Sequence, residues 1–286
     1  MGGLPIWITT VLLAVVLWIL HVTIDGFWSK MNFLSRAQTW LPVGCLILAG
    51  IVGMADDMFG IFRRKGFSIL QRVLLFLVVA IIGAWWFYVK LEFDIITIPF
   101  IGDVFVGWLY IPIFIFIVVA TAFSADITDG LDGLSGGIFM TIFAAQAVIA
   151  FDQGRMDLVA FIAAIMGALV AFLWYNIFPA KFFMGDTGVM ALGFVVGVVA
   201  MLTGTAFLLP VFAVVFVMEA LSDILQIGSK KLRGKKIFLS APIHHHFEAL
   251  GWHETQITMR FWMISAIGAI IGLIIFLVDS KIPPLF

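Results

Sequence analysis

The chain has 286 residues, of which 63% are hydrophobic and only 12% are charged, and its formal net charge at pH 7 is −1. Soluble domains carry about 25% charged residues, so this composition excludes an ordinary soluble protein and predicts a polytopic helical membrane protein. The near-neutral charge gives no reason to expect nucleic-acid binding. The single cysteine, Cys45, cannot form an intramolecular disulfide and does not identify a redox compartment.

Nine apolar runs approach the length of roughly 20 residues that a helix needs to cross a bilayer. In chain order they are 4–23, 39–55, 69–89, 108–124, 134–151, 157–175, 188–204, 207–227 and 259–278. We expect one transmembrane domain over residues 1–286, because no internal repeat or soluble segment is visible. Alternation through nine spans places 11 of the 16 Lys and Arg residues on the face of the N-terminus. The positive-inside rule predicts that this face is cytoplasmic.

Five polar segments lie at the edges of these apolar runs, where a bilayer makes charge costly. In chain order they are Asp56-Asp57, Asp126 to Gly133, Phe183 to Gly188, Glu219 to Asp223 and Ala241 to Glu248. The alternation of spans brings all five to the predicted cytoplasmic face or near it. Ionisable groups at membrane depth tend to be paired and functional, so the pattern predicts an active-site cleft for a charged substrate on this side.

The pair Asp56-Asp57 closes the second predicted span. Adjacent carboxylates on a helix project about 100° apart, so one can face a metal while the other faces a proton or a cation. An ordinary interfacial pair that reaches to water is equally compatible with this spacing. Arg72 lies about one turn inside the next span, where a cation is expected to seek an anionic partner.

Asp126, Asp129 and Asp132 recur at every third position. If the segment is helical, this spacing aligns the three carboxylates on one face. Their mutual repulsion then requires cations, and oxygen ligands of this kind favour Mg²⁺, which also binds substrate phosphates. The alternative is a solvated loop, which does not account for three carboxylates between two apolar spans.

The stretch from Asn176 to Gly188 is the most specific in the chain. It places Asp186 between two glycines and includes Lys181, a combination that predicts a platform for a diphosphate and a metal ion. A purely structural role for Asp186 as a helix cap is also compatible with the sequence. The spacing of Phe183 favours packing against lipid or protein over stacking on a base.

The consecutive residues His244, His245 and His246 cannot all bind one metal, because neighbouring side chains diverge in a helix or a strand. No cysteine, histidine or glutamate at zinc-ligand spacing accompanies them. The segment therefore favours one or two histidines that reach a phosphate or transfer a proton.

Together these segments resemble the polyprenyl-phosphate N-acetylhexosamine-1-phosphate transferase family. The motifs that carry the resemblance are Asp56-Asp57, Thr128 to Leu134, Asn176 to Gly188 and Pro242 to Glu248, followed by Arg260-Phe-Trp-Met-Ile-Ser. The triple histidine separates the chain from the N-acetylglucosamine-phosphate members. Family members usually have ten spans, and Met1-Gly2-Gly3 matches the end of a motif that follows their first span. We therefore expect that first span and a basic loop to be absent here.

The resemblance implies a Mg²⁺-dependent enzyme of the bacterial cytoplasmic membrane. Phospho-N-acetylmuramoyl-pentapeptide would pass from UDP-MurNAc-pentapeptide to undecaprenyl phosphate, giving lipid I and UMP for peptidoglycan synthesis. The implied catalytic residues are Asp56, Asp57, Asp186 and His244, with Asp186 as the metal ligand. The implied substrate-binding residues are Arg72, which stands where the family often has lysine, and Asp129, Asp132, Asn176, Phe183, His245 and His246. The resemblance also implies contact with membrane lipids and the formation of a homodimer with a second copy of the chain.

Other functions are compatible with parts of the sequence. One is transfer of N-acetylglucosamine-1-phosphate to a polyprenyl phosphate, and another is a binding role for an inactive relative. An ion-coupled transporter would show internal repeats and charges within its spans, whereas this chain shows no repeat and carries most of its carboxylates at one edge. The sequence leaves open whether Asp56 or Asp57 acts as a base or as a nucleophile.

Overall fold

The computed structural model describes residues 2–24, 33–35, 37–63 and 66–281, which form an almost entirely helical bundle. In chain order the helices are α1 (Leu4–Thr23), α2 (Ala37–Arg63), α3 (Ile69–Trp85), α4 (Tyr110–Thr128), α5 (Leu134–Asp152), α6 (Met156–Asn176), α7 (Asp186–Leu202), α8 (Leu209–Phe212), α9 (Val214–Arg233), α10 (Ile243–Ala249) and α11 (Glu254–Asp279). The predictions on orientation and on the chain start also used Met1, Lys30, Arg36, Arg64 and Lys65, which lie outside the described residues.

Seven helices in the described part of the chain are long and apolar enough to cross a membrane, which confirms a multi-pass all-α membrane protein. They are α1 to α6 and α11. The other two predicted spans are also helical, but one is short for a membrane span and the other is interrupted. The span predicted at 188–204 is α7, which has only 17 residues. The span predicted at 207–227 is interrupted at Ala213, between the short α8 and the more polar α9.

Helix α7 lies at the centre of the bundle, and each of its residues from Thr187 to Leu202 is buried. Glycines allow its neighbours to approach closely. A side chain at Gly53 of α2 would overlap the backbone at the start of α7, and side chains at Gly193 and Gly197 would press against the backbone of α4. Small residues at helix interfaces permit such close packing in membranes. The packing holds the start of α7 beside the ends of α2 and α4.

A two-stranded antiparallel hairpin, which the sequence did not predict, connects α3 to α4. It consists of β1 (Ile95–Ile98) and β2 (Gly102–Phe105). The backbone N–H of Phe100, in its turn, donates to the carboxylate of Asp279 at the end of α11, at 2.6 Å. The hairpin therefore lies at the end of the bundle opposite to the start of α11, where the polar motifs meet.

Candidate active site

The guanidinium group of Arg72 lies among three carboxylates from three other helices. Its Nε atom is 2.6 Å from Asp56 Oδ2, its Nη2 atom is 2.7 Å from Asp186 Oδ2, and its Nη1 atom is 3.4 Å from Asp126 Oδ2. These ion pairs connect α3 to α2, α7 and α4. Acidic side chains outnumber the single cation in this group of residues, which is here called the Arg72 cluster. The structure thus brings three of the predicted polar segments together.

The start of α3 fixes the position of Arg72. Ser68 Oγ accepts a hydrogen bond from Gln71 N at 3.3 Å, and Gln71 Oε1 accepts one from Ser68 N at 2.9 Å, which forms a capping box. Asp56, only 4% exposed, accepts a further hydrogen bond from the backbone N–H of Phe67, just before this cap. Asp56 therefore holds both the loop that leads into α3 and the arginine in its first turn.

Asp57 faces the start of α7 rather than Arg72. Its Oδ1 atom accepts from Asp186 N at 3.2 Å, and its Oδ2 atom accepts from Thr187 N at 3.1 Å and from Thr187 Oγ1 at 2.5 Å. The first N–H groups of a helix lack acceptors within the helix, so Asp57 caps α7 from outside. Its contacts are therefore those of a residue that orients Asp186, while the catalytic role that the resemblance implies for Asp57 stays a prediction.

The three aspartates at every third position do not share a helical face, contrary to the helical interpretation. Helix α4 ends at Thr128, and Gly133 adopts the left-handed conformation with φ +73°, so the chain turns between α4 and α5. The carboxylates have separate partners: Asp126 with Arg72, Asp129 with Ser135 at 2.5 Å and Asp132 with the backbone N–H of Ala180 at 2.8 Å. We call residues 129–133 the aspartate loop.

Asp129 connects the aspartate loop to the start of α7. Besides the hydrogen bond from Ser135, its carboxylate interacts with the backbone of Gly185, the residue before Asp186. Burial raises the pKa of Asp129 to about 6, against the opposing effect of the Ser135 hydrogen bond. A predicted substrate contact therefore lies next to the predicted metal ligand.

Asn176 is buried between two loops of the site. Its Oδ1 atom accepts from Gly133 N at 3.2 Å, and its Nδ2 atom donates to the carbonyl of Phe182 at 3.0 Å. Both polar groups of the side chain are thus used by backbone, so Asn176 shapes the loops on either side. A direct contact with substrate, as the resemblance implies, stays a prediction. Phe183, next to one of these loops, is 61% exposed and therefore open to a ligand.

Replacement of Asn176 by alanine is expected to lower the stability of the protein. It leaves the N–H of Gly133 and the carbonyl of Phe182 without their partner, and an unpaired buried polar group costs about 1–3 kcal/mol. Thermal unfolding in detergent measures the effect. Ser280→Ala, which removes an exposed hydroxyl at the other end of the bundle, is the control and should leave the melting temperature unchanged. Equal melting temperatures for both variants would contradict the bridging role.

The three consecutive histidines have three different environments. His244 is 1% exposed, and its Nδ1 atom lies 2.9 Å from Oε2 of the fully buried Glu219. His245 pairs with Glu248 at the exposed surface, and the Nδ1 atom of His246 accepts from the backbone of Leu239 at 3.1 Å. His244 alone among them lies against the aspartate loop, where a side chain at Gly130 would overlap it.

Glu219 and Asp126 were not among the predicted site residues. Both had been noted as carboxylates at the edges of apolar runs, which is the signal that could have selected them. Neither pairing is visible in the sequence, because Glu219 and His244 are 25 residues apart and Arg72 and Asp126 are 54 residues apart.

The described residues contain no group of three His, Cys, Asp or Glu side chains that forms a ready-made metal site. Arg72 occupies the space between the three carboxylates instead. The all-oxygen donor set and the excess of carboxyl groups over cations fit Mg²⁺, which commonly uses one or two carboxylates together with substrate phosphates. Asp186 is partly exposed at the start of α7, so it is accessible to an ion that arrives with a diphosphate.

Comparison with known proteins gives consistent matches. Residues 39–204, which include the whole Arg72 cluster, match the model of glycosyl transferase family 4. A phospho-N-acetylmuramoyl-pentapeptide-transferase of Clostridium novyi is 41% identical over 240 residues, which cover 82% of this chain and 74% of the relative. A protein of the same name from Chloroflexus aurantiacus is 36% identical over 290 residues, which cover 96% of this chain and 75% of the relative. Another from Geobacillus thermodenitrificans is 37% identical over 279 residues, which cover 96% of this chain and 82% of the relative.

The family match covers more than half of the chain, and each of these relatives is matched over more than two thirds of its own length. The resemblance predicted from the aspartate, glycine and histidine motifs is therefore confirmed. The chain belongs to glycosyl transferase family 4, together with the phospho-N-acetylmuramoyl-pentapeptide-transferases.

Proposed function

We propose that the protein transfers phospho-N-acetylmuramoyl-pentapeptide from its UDP carrier to undecaprenyl phosphate, which yields lipid I and UMP. An oxygen of the lipid phosphate forms a bond to the sugar-bearing phosphorus, and the bond from this phosphorus to the oxygen of UMP breaks. The observation that carries the proposal is the convergence of Asp56, Asp126 and Asp186 on Arg72, in a chain that belongs to this family.

Both substrates are polyanions, so the reaction depends on neutralised charge and on in-line positioning more than on covalent chemistry by the protein. A bound Mg²⁺ would neutralise the diphosphate and polarise its oxygens. Asp186 would hold the ion, and Asp57 would keep Asp186 in place through the N-terminal N–H groups of α7. The exposed ring of Phe183 would stack on the uracil base, because stacking tolerates a partly open site.

The site would face the cytoplasm in the bacterial cytoplasmic membrane. The argument is the predicted distribution of basic residues, since alternation through nine spans assigns 11 of the 16 Lys and Arg residues to the face that carries the polar motifs. This orientation places the site where UDP-linked sugars dissolved in the cytoplasm can reach it, and where the lipid phosphate lies at the membrane surface.

Release of UMP from UDP-MurNAc-pentapeptide and undecaprenyl phosphate tests this function. Chelation of Mg²⁺ is expected to lower the rate at least about 100-fold, because charge stabilisation by a metal is worth several kcal/mol, and added Mg²⁺ should restore it. UDP-N-acetylglucosamine is the control substrate and should turn over far more slowly. A preference for that sugar would support the N-acetylglucosamine alternative, and no UMP release from either sugar would contradict transfer altogether.

A further inference from the structure

A buried carboxylate and a buried imidazole form a pair beside the aspartate loop. Glu219 in α9 is completely buried, His244 in α10 is 1% exposed, and Oε2 of the former lies 2.9 Å from Nδ1 of the latter. A buried carboxylate is costly unless it is paired and hydrogen-bonded. Breaking this pair would leave an uncompensated charge in the bundle, so the two side chains hold each other in place.

The second ring nitrogen of His244 points toward the aspartate loop. Its Nε2 atom is buried and has no hydrogen-bond partner among the described residues. A Cβ atom at Gly130 would overlap Nε2 and would lie 2.9 Å from the neighbouring ring carbon. Gly130 is itself exposed, so Nε2 lies just beneath the surface of a loop that carries two predicted substrate-binding aspartates. A glycine is needed here because of this close approach.

We infer that Glu219 is a positioning residue for the transfer reaction: it accepts a hydrogen bond from Nδ1–H of the protonated His244 ring, so that Nε2–H can donate to a phosphate of the substrate bound over Gly130. A carboxylate on one ring nitrogen fixes the orientation of the ring and decides which nitrogen is free for the substrate. Glu219 itself touches no reacting atom and acts only through the histidine. The inference deepens the proposed function and rests on it, because it assigns the ring to that reaction.

A double-mutant cycle on the full-length protein tests the pair. Rates of UMP release are measured against UDP-MurNAc-pentapeptide concentration for Glu219→Gln, His244→Ala and the double variant. Each single change is expected to lower kcat about 100-fold, the lower range for the loss of one hydrogen-bond donor to charge in the transition state, with KM changed less than about threefold. The double variant should be no slower than His244→Ala, because Glu219 acts through the ring. Additive losses, or changes confined to KM, would overturn the inference.

A second cycle tests the position of the ring without removing a functional group. Gly130→Ala places a methyl group against Nε2 and is expected to lower kcat in the otherwise unchanged protein. In the His244→Ala background the space is free, and the same change should have no further effect. Equal losses in both backgrounds would show that the alanine acts on the loop alone, and would overturn the inference.

Asp152→Asn is the control for the first cycle. It converts an exposed carboxylate to an amide at the end of α5 that lies away from the aspartate loop. Its rate should stay within about twofold of the unmodified protein, as surface substitutions usually do. A loss as large as that of Glu219→Gln would show a general sensitivity to the loss of a carboxylate and would overturn the inference. If the unmodified chain releases no UMP, the proposed function fails, whereas release with additive losses rejects the inference alone.

Discussion

Replacement of Asp186 by asparagine is expected to lower kcat for UMP release about 1,000-fold or more. Asparagine keeps the size of the side chain but removes the charge that lies 2.7 Å from Arg72 at the start of α7. The helix dipole favours a carboxylate at this place. As the proposed metal ligand, Asp186 would also help to stabilise charge in the transition state, and the loss of one such stabilising group lowers kcat about 100- to 1,000-fold. Loss of the ion adds to this cost.

The measurement is the rate of UMP release at saturating concentrations of both substrates and at several Mg²⁺ concentrations. Asp152→Asn is the control, because this exposed carboxylate lies at the other end of α5, away from the aspartate loop. The control should keep its rate within about twofold, as surface substitutions usually do. An Asp186→Asn variant that keeps more than a tenth of the activity, with unchanged Mg²⁺ dependence, would remove Asp186 from metal binding.

The architecture could be predicted from the sequence because apolar runs of membrane length leave little choice of structure. The predicted run 4–23 coincides with α1, and 134–151 ends one residue before α5 does. The meeting of the polar segments also followed from the sequence, since alternation of helices brings the end of α2 and the start of α3 to one face. The interruption at Ala213 could not be predicted, because the apolar run continues through it.

The pairing of individual side chains could not be predicted in the same way. Asp56 and Asp57 are neighbours, yet one contacts Arg72 and the other caps α7, 130 residues further along the chain. Their directions depend on how closely the helices pack, which glycines such as Gly53 decide. The helical spacing of the aspartates was misleading for a related reason: α4 ends at Thr128, and Asp129 leaves the helical conformation with φ −81° and ψ 60°, so the chain turns before the third aspartate can align with the first.

Replacement of Arg72 by glutamine is expected to destabilise the protein strongly. It leaves Asp56, Asp126 and Asp186 facing one another without a cation, and Asp56 is only 4% exposed. Removing one partner of a buried ion pair costs about 3–5 kcal/mol. Arg72→Lys is the matched control: it keeps the charge but loses the planar fork, so it should lose less stability and keep measurable activity. Thermal unfolding in Mg²⁺-free detergent compares the two variants.

Mg²⁺ should restore part of the stability that Arg72→Gln loses. Without the guanidinium group, the three carboxylates form an open set of oxygen donors with no internal counter-charge, and a divalent cation that binds the folded state raises its melting temperature. The rise should exceed that of the unmodified protein, in which Arg72 competes for the same oxygens. Because no substrate is present, this measurement reports metal binding apart from activity. Equal rises in both proteins, or none in either, would show that these carboxylates do not hold the ion.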